Sequence, residues 1–204
     1  MPASAHPSET EDLLDLVAQG DSEALDSLIA RHREYLRRVV DARMEPSLRQ
    51  KLDASDVVQE TLAVASRRID DYLTRRPATF RLWLRAKALE LLIDARRHHH
   101  AQKRTLERDV CISDASSLAL ARAFAGSGPA DRMLRREAAG QVRQALAALT
   151  PPDQEILVMR HGEGLSNAET AELLHVDPKT ASKRYGRALQ RLATQLSKLG
   201  FSRG

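Results

Sequence analysis

Ser166 to Leu192 reads SNAETAELLHVDPKTASKRYGRALQRL, and its local chemistry predicts two helices joined by a tight turn. Ser166 and Glu169 have the spacing of a capping box, in which the serine hydroxyl takes the amide three residues on and the glutamate reaches back to the serine amide. Ala168, Ala171 and Leu174 follow at helical spacing, with side chains small enough for a second helix to cross closely. His175 and Val176 make the turn. Asp177 is a good N-cap and Pro178 suits the first helical position, where its missing N–H costs nothing, so the second helix starts there.

At about 100° per residue the second helix separates into two faces. Ala181, Tyr185, Ala188 and Leu192 point one way and are expected to pack inward. Lys179, Ser182, Lys183, Gly186 and Gln190 point the other way, flanked by Arg184, Arg187 and Arg191. Short or hydrogen-bonding side chains on such a face suit base edges, and cations suit phosphates. Asp177 is the only acid between residues 173 and 204. The bland alternative is a solvated basic helix of an ordinary bundle. Because capping, turn and charge agree at one place, the stretch is read as a DNA-binding helix-turn-helix.

The chain of 204 residues is long enough for one large domain or two small ones, each with a real core. Its net charge of +4 is modest, but segments 81 to 108 and 177 to 204 are basic while Glu9 to Asp26 is acidic. A basic stripe in each half predicts two contacts with nucleic acid. The single cysteine, Cys111, excludes an intrachain disulfide and a cysteine metal framework and points to a reducing compartment. No secretory leader or membrane span is apparent, so a cytoplasmic location without membrane insertion is expected. Aromatic residues make up 3% of the chain, leaving few platforms for stacked bases.

Upstream of the motif the pattern is helical throughout, and no β-type alternation appears. Residues 1 to 8 read as a disordered leader. Two helices follow from Glu11, separated by Gly20 and Asp21, the second burying Leu25, Leu28, Ile29, Tyr35, Leu36 and Val39. Ser55 is the expected cap of a helix running DVVQETLAVASRRIDDYL. Thr74 to Phe80, TRRPATF, is expected to be a loop. A long helix from about Arg81 follows, with Leu82, Ala86, Leu89 and Ile93 as its apolar stripe and a basic end. Residues 109 to 131, rich in Ser, Ala and Gly, read as a flexible linker, within which SSLALARAF is a candidate short helix. Helices resume from Met133, with Thr150 and Pro151 opening the one before the motif. The fold class is therefore all-α: two small helical domains, 1–108 and 132–204, joined by the linker 109–131.

With both halves laid out, the chain resembles bacterial RNA polymerase sigma factors of the extracytoplasmic-function group, along nearly its whole length. LTPPDQEILVMRHGEGLSNAETAELLHVDPKTASKRYGRALQRL is similar to their promoter-reading domain. DASDVVQET, Asp53 to Thr61, resembles their polymerase-docking segment, and FRLWLRAKALELLIDARR, Phe80 to Arg97, the helix beside the melted promoter element. Three departures stand out. Glu90 replaces a usual asparagine, TRRPATF lacks the glycine often found before the phenylalanine, and Ala181 stands where a larger β-branched residue is usual.

The resemblance implies two partners, core RNA polymerase and promoter DNA, with an anti-sigma factor as a further one. It implies polymerase docking through Asp56, Val57, Gln59 and Glu60, although Val57 also suits the core together with Val58 and Leu62. It implies capture of a minus-10 element by Arg75, Arg76, Thr79, Phe80, Arg85, Arg96 and Arg97, with Lys103 and Arg104 also following phosphates and Trp83 assigned to the core. The minus-35 element falls to Lys179, Thr180, Ser182, Lys183, Arg184 and Arg187.

No cofactor is expected. His98, His99 and His100 are consecutive on a helix, point about 100° apart, and cannot share one metal ion. No nucleophile with a base, phosphate loop or paired carboxylate appears, so no enzyme site is expected. Two rivals remain. One is a helix-turn-helix activator or repressor working without polymerase docking, which predicts a dimer and a palindromic site. The other is a protein-binding adaptor, which leaves the basic face of 179 to 191 unexplained.

Overall fold

The computed structural model describes residues 7–100, 116, 117, 120 and 132–201. The linker 109–131 therefore lies largely outside the described residues, as do Lys103, Arg104 and Cys111. All regular structure among the described residues is helical: α1 (Pro7–Ala18), α2 (Ser22–Arg43), α3 (Pro46–Arg49), α4 (Ala54–Arg67), α5 (Ile69–Arg75), α6 (Phe80–His100), α7 (Arg132–Ala147), α8 (Pro151–Leu157), α9 (Asn167–Leu173) and α10 (Pro178–Lys198), with a π-helical turn Val158–Gly162 after α8. The chain divides into two compact units. Among the described residues the first takes those up to Val40 and from Leu48 through α6; the second takes Asp41–Ser47 and everything from residue 116 on.

In the first unit Gly20, at φ +91°, closes α1, and Asp21 Oδ1 accepts the amides of Glu23 and Ala24 to open α2, as expected. Helix α1 starts at Pro7, earlier than the expected leader allowed. The expected Ser55 cap is corrected to Asp53, whose Oδ1 accepts the Ser55 amide at 2.7 Å. That amide and the Ser55 hydroxyl hold the Asp53 carboxyl below its usual range. The single helix expected over DVVQETLAVASRRIDDYL breaks at Arg68, which leaves helical geometry at φ −113°, ψ 16°. Nothing in the apolar spacing marks that break, because Ala65, Ile69 and Tyr72 keep helical intervals and are all buried.

Helix α6 packs on α4 and carries Phe80 and Trp83 into an aromatic cluster with Tyr72, the ring centroids 4.9 to 5.6 Å apart. Four consecutive residues, Leu82 to Arg85, are buried, so this part of the helix is enclosed on every side. The expected stripe fails for that reason. Leu82 is buried, but Ala86 is exposed and Ile93 is 49% exposed, while Ala88 and Leu92 carry the packing further on.

His32 lies in this core at 1% exposure, its ring edge-on to Phe80 at 5.2 Å. Neither ring nitrogen has a hydrogen-bond partner among the described residues. Burial, then the charges of Arg81 and Arg31, lower its pKa from 6.5 to about 4. The folded state thus resists a proton that the unfolded chain accepts. The contribution of His32 to stability is flat above pH 6.5 and falls between 6.5 and about 4, by roughly 3 kcal/mol in all. His32→Leu, similar in volume and without orphaned nitrogens, is expected to raise the unfolding midpoint at pH 7 and to flatten this acid limb. Fluorescence of Trp83, the only tryptophan of the chain, follows both effects.

Candidate nucleic-acid interface

The second unit is built around Val142, Leu146, Leu157, Ala188 and Leu192, each nearly or fully buried, with Tyr185, Leu189 and Leu199 packed against them. Its helix-turn-helix forms as the sequence predicts. The Ser166–Glu169 capping box is complete, with Glu169 N–H to Ser166 Oγ at 3.1 Å and Ser166 N–H to Glu169 Oε2 at 2.7 Å. His175 takes the turn at φ +51°, and Asp177 Oδ1 accepts the Thr180 amide at 2.8 Å to start α10. The Thr180 hydroxyl and amide hold the Asp177 carboxyl below its usual range.

The two faces of α10 come out as the arithmetic places them. Ala181, Ala188 and Leu192 are fully buried and Tyr185 is half-buried; Lys179, Ser182, Lys183 and Gln190 are exposed on the other side. Small side chains hold the crossing of α9 and α10, since Ala171 is 2% exposed and Ala181 0%. Ala168 is exposed instead of packed.

Three residues expected at the minus-35 element lie off the centre of that face. The Thr180 hydroxyl donates to Asp177 Oδ2 at 2.6 Å and so belongs to the cap. Arg184 and Arg187, both exposed, line with Arg191 a cleft of about 470 Å³ over Ile156 and Leu174, beside the groove face.

Local signals in the sequence do not reveal several polar contacts that hold this unit. The Arg43 guanidinium donates to both oxygens of Glu155 at 2.7 Å and also to Glu163, whose side chain is fully buried. Burial works against the charge on Arg43, but the hydrogen bond to Glu155 and the charges of Glu163 and Glu155 outweigh it and raise its pKa. Alongside, the Ser116 hydroxyl donates to the Ala42 carbonyl, and a side chain at Gly162 would meet Ser116 Oγ at 2.6 Å. The Thr150 hydroxyl, expected to cap α8, donates instead to Asp153 Oδ2 at 2.7 Å, an oxygen that also accepts Arg191 at 2.6 Å.

In the first unit Asp56, Gln59 and Glu60 share the exposed side of α4, while Val57 is 5% exposed and packs beneath them. Val57 is thus a core residue supporting that surface and is not presented on it. Glu60 pairs with Arg67 at 3.1 Å, both exposed, a contact of small energetic weight.

The loop ahead of α6 is shorter than expected, because α5 extends through Arg75. Arg76 adopts left-handed geometry at φ 36° and pairs with Glu11 at 2.8 Å and Asp15 at 3.5 Å. Arg75 and Thr79 are exposed. Phe80 and Arg85, expected near DNA, are 2% and 7% exposed, so neither offers a ring or a cation to a strand at the surface. Arg97 is exposed and Arg96 half-buried further along α6. Glu90 is exposed, its carboxylate 2.8 Å from Lys87. Among the described residues no group of His, Cys, Asp and Glu is arranged to hold a metal ion, and no helix is long and apolar enough to cross a membrane.

A capped helix-turn-helix whose second helix exposes amide, hydroxyl and ammonium groups on one face is the arrangement that reading a DNA groove requires. Residues 139–192 match the family Sigma-70, region 4. Over 181 residues the chain is 28% identical to RNA polymerase sigma factor CnrH of Cupriavidus metallidurans, covering 88% of this chain and 90% of that one. It is 27% identical to sigma factor NccH of Alcaligenes xylosoxydans xylosoxydans over 93% and 96% of the two chains, and 29% identical to ECF sigma factor SigM of Mycobacterium tuberculosis over 95% and 88%. The solved structure of CnrH in complex with the cytosolic domain of CnrY shares the fold, with a TM-score of 0.55 at 24% identity over 93% of this chain and 98% of that one. These relatives are RNA polymerase sigma factors along nearly the whole of this chain, and together with the region 4 match they support a sigma factor of the extracytoplasmic-function group.

Proposed function

We propose that this sigma factor docks on core RNA polymerase through the exposed side of α4 and reads two promoter elements, leaving the chemistry to the polymerase. The observation that carries the proposal is the division of α10, with Ala181, Ala188 and Leu192 sealed inside and Lys179, Ser182, Lys183 and Gln190 exposed together. That face enters the major groove of the minus-35 element, with Lys183 at its centre. Arg184 and Arg187 follow the flanking phosphates, adding salt-sensitive affinity without sequence choice.

Capture of the minus-10 element falls to Arg75, Arg76 and Thr79 around the loop ahead of α6, with Arg97 along the helix. Phe80 and Trp83 anchor that loop from below, since Phe80 is buried against Tyr72. Such a protein works in the cytoplasm, where the polymerase is. The CnrH complex with CnrY supports an anti-sigma partner for this chain as well.

Docking and DNA reading are separable. Asp56→Arg with Glu60→Arg is expected to weaken binding to purified core polymerase by at least about tenfold, since like charges then meet across the contact. The Trp83 fluorescence and the unfolding midpoint stay as in the wild type, because both positions are exposed. Fluorescence anisotropy of the labelled chain titrated with core polymerase measures the loss. Unchanged affinity in the double variant removes α4 as the docking surface and favours an activator or repressor that never binds core.

A further inference from the structure

Where the recognition helix crosses its neighbours its inward face is built partly of small side chains, with the large buried residues Leu192 and Leu196 further along. Ala171, Ala181 and Ala188 are buried where it crosses its neighbours, and methyl groups allow close approach while interlocking little. Methyl groups at that crossing add little to fix the rotation of α10, which base-edge hydrogen bonds require to be set closely. Directional polar contacts brace it in addition to the apolar packing. Asn167 Nδ2 donates to the Pro178 carbonyl at 2.8 Å at the start of α10, and Arg191 meets Asp153 beyond its middle.

The central brace is the most enclosed. His161 Nε2 lies 2.9 Å from the Tyr185 hydroxyl, the two rings are 5.8 Å apart, and the Arg160 guanidinium sits 5.2 Å over the Tyr185 ring. Arg160 and His161 belong to the π-helical turn Val158–Gly162, which is tied to the start of the helix-turn-helix. Arg160 Nη1 donates to the Leu165 carbonyl, and the Leu165 amide donates to the Met159 carbonyl at 2.9 Å. A wide turn inserted in a helix re-aims its side chains, and here it directs His161 at Tyr185.

We propose that His161, acting through Tyr185, is a positioning residue for minus-35 readout, setting the rotation of α10 in the groove without touching DNA. The inference rests on α10 being the minus-35 reader. It goes beyond that reading in assigning part of the sequence selectivity to a side chain of the preceding helical turn.

The test uses the full chain assembled with core polymerase and a duplex selected by that wild-type holoenzyme from a random-sequence library. Binding is compared between the selected duplex and its single-base variants in the minus-35 element. The wild type is expected to discriminate by on the order of tenfold per changed base. Tyr185→Phe, which keeps the ring and removes only the hydroxyl, and His161→Leu are each expected to reduce that ratio about threefold or more while leaving affinity for the mismatched duplexes unchanged. His161→Gln, which restores a hydrogen-bonding group near the Nε2 position, is expected to recover the ratio.

Tyr185→Phe decides the matter if His161→Leu fails to fold. Wild-type ratios in Tyr185→Phe, equal loss on all duplexes, or a loss in His161→Gln as deep as in His161→Leu would overturn the proposal. A wild-type holoenzyme that selects no minus-35 sequence at all defeats the underlying reading of α10 instead.

Discussion

Arg43→Leu is expected to destabilise the second unit by about 3–5 kcal/mol, the largest effect of any single substitution considered in this protein. Glu163 is fully buried and bonded to the Arg43 guanidinium; removing that group takes away a cation that offsets the charge of a carboxylate held out of water. Glu155 loses both of its 2.7 Å bonds to the same group. An ion pair of this kind is not a large net source of stability, because desolvating its members offsets most of their attraction. Breaking one side is nevertheless costly. The expected pattern is therefore asymmetric: Arg43→Leu alone unfolds the unit readily, whereas adding Glu163→Leu recovers a large part of the loss. Hydrogen-exchange protection of α8, α9 and α10 reports it, since Trp83 senses only the first unit. Equal destabilisation by the single and double variants would contradict the charge argument and leave only lost packing.

Lys183→Glu is expected to lower affinity for the minus-35 duplex by on the order of a hundredfold, and Lys183→Gln by less. Lys183 is exposed at the centre of the face opposite Ala181 and Leu192, so the substitution costs the fold nothing while placing a carboxylate against base edges and phosphates. Arg187→Gln, at the edge of that face, behaves differently. Its loss is uniform across sequences, and the slope of log affinity against log salt falls by about one, the signature of a phosphate contact. Anisotropy titrations of the holoenzyme at several salt concentrations separate the two. A Lys183→Glu variant that binds and discriminates as the wild type does would exclude α10 as the reading helix.

The helix-turn-helix was legible because its determinants are local. Ser166 with Glu169, and Asp177 with Pro178, fix helix starts through contacts within four residues, and the resulting phase of α10 decides which side chains are buried. The all-α class followed from the same periodicity. Where a segment is enclosed all round, as Leu82 to Arg85 are, periodicity disappears, and the apolar stripe of α6 and the surface role of Arg85 were misplaced together. Asp53 and Ser55 are both good caps two residues apart, and only the observed hydrogen bond chooses between them.

The contacts that no local pattern encodes are those between residues far apart in sequence. Arg43 and Glu163 are separated by 120 positions, and neither has a neighbour that marks it as paired. The π-helical turn leaves no trace in VMRHG, although a tyrosine on the inward face of α10 and a histidine 24 positions earlier are the two halves of its brace. Nothing in the sequence around His32 marks it as buried, because the Phe80 ring it lies against is far along the chain.

Whether this chain directs core RNA polymerase to promoters is decided by run-off transcription. Purified core polymerase is assayed with and without the protein on a library of promoters from its own genome. Transcripts with defined starts are expected only when the protein is added, and none with the Asp56→Arg, Glu60→Arg variant or with Lys183→Glu. A protein that binds the same DNA by itself yet never brings core polymerase to initiate would contradict that expectation.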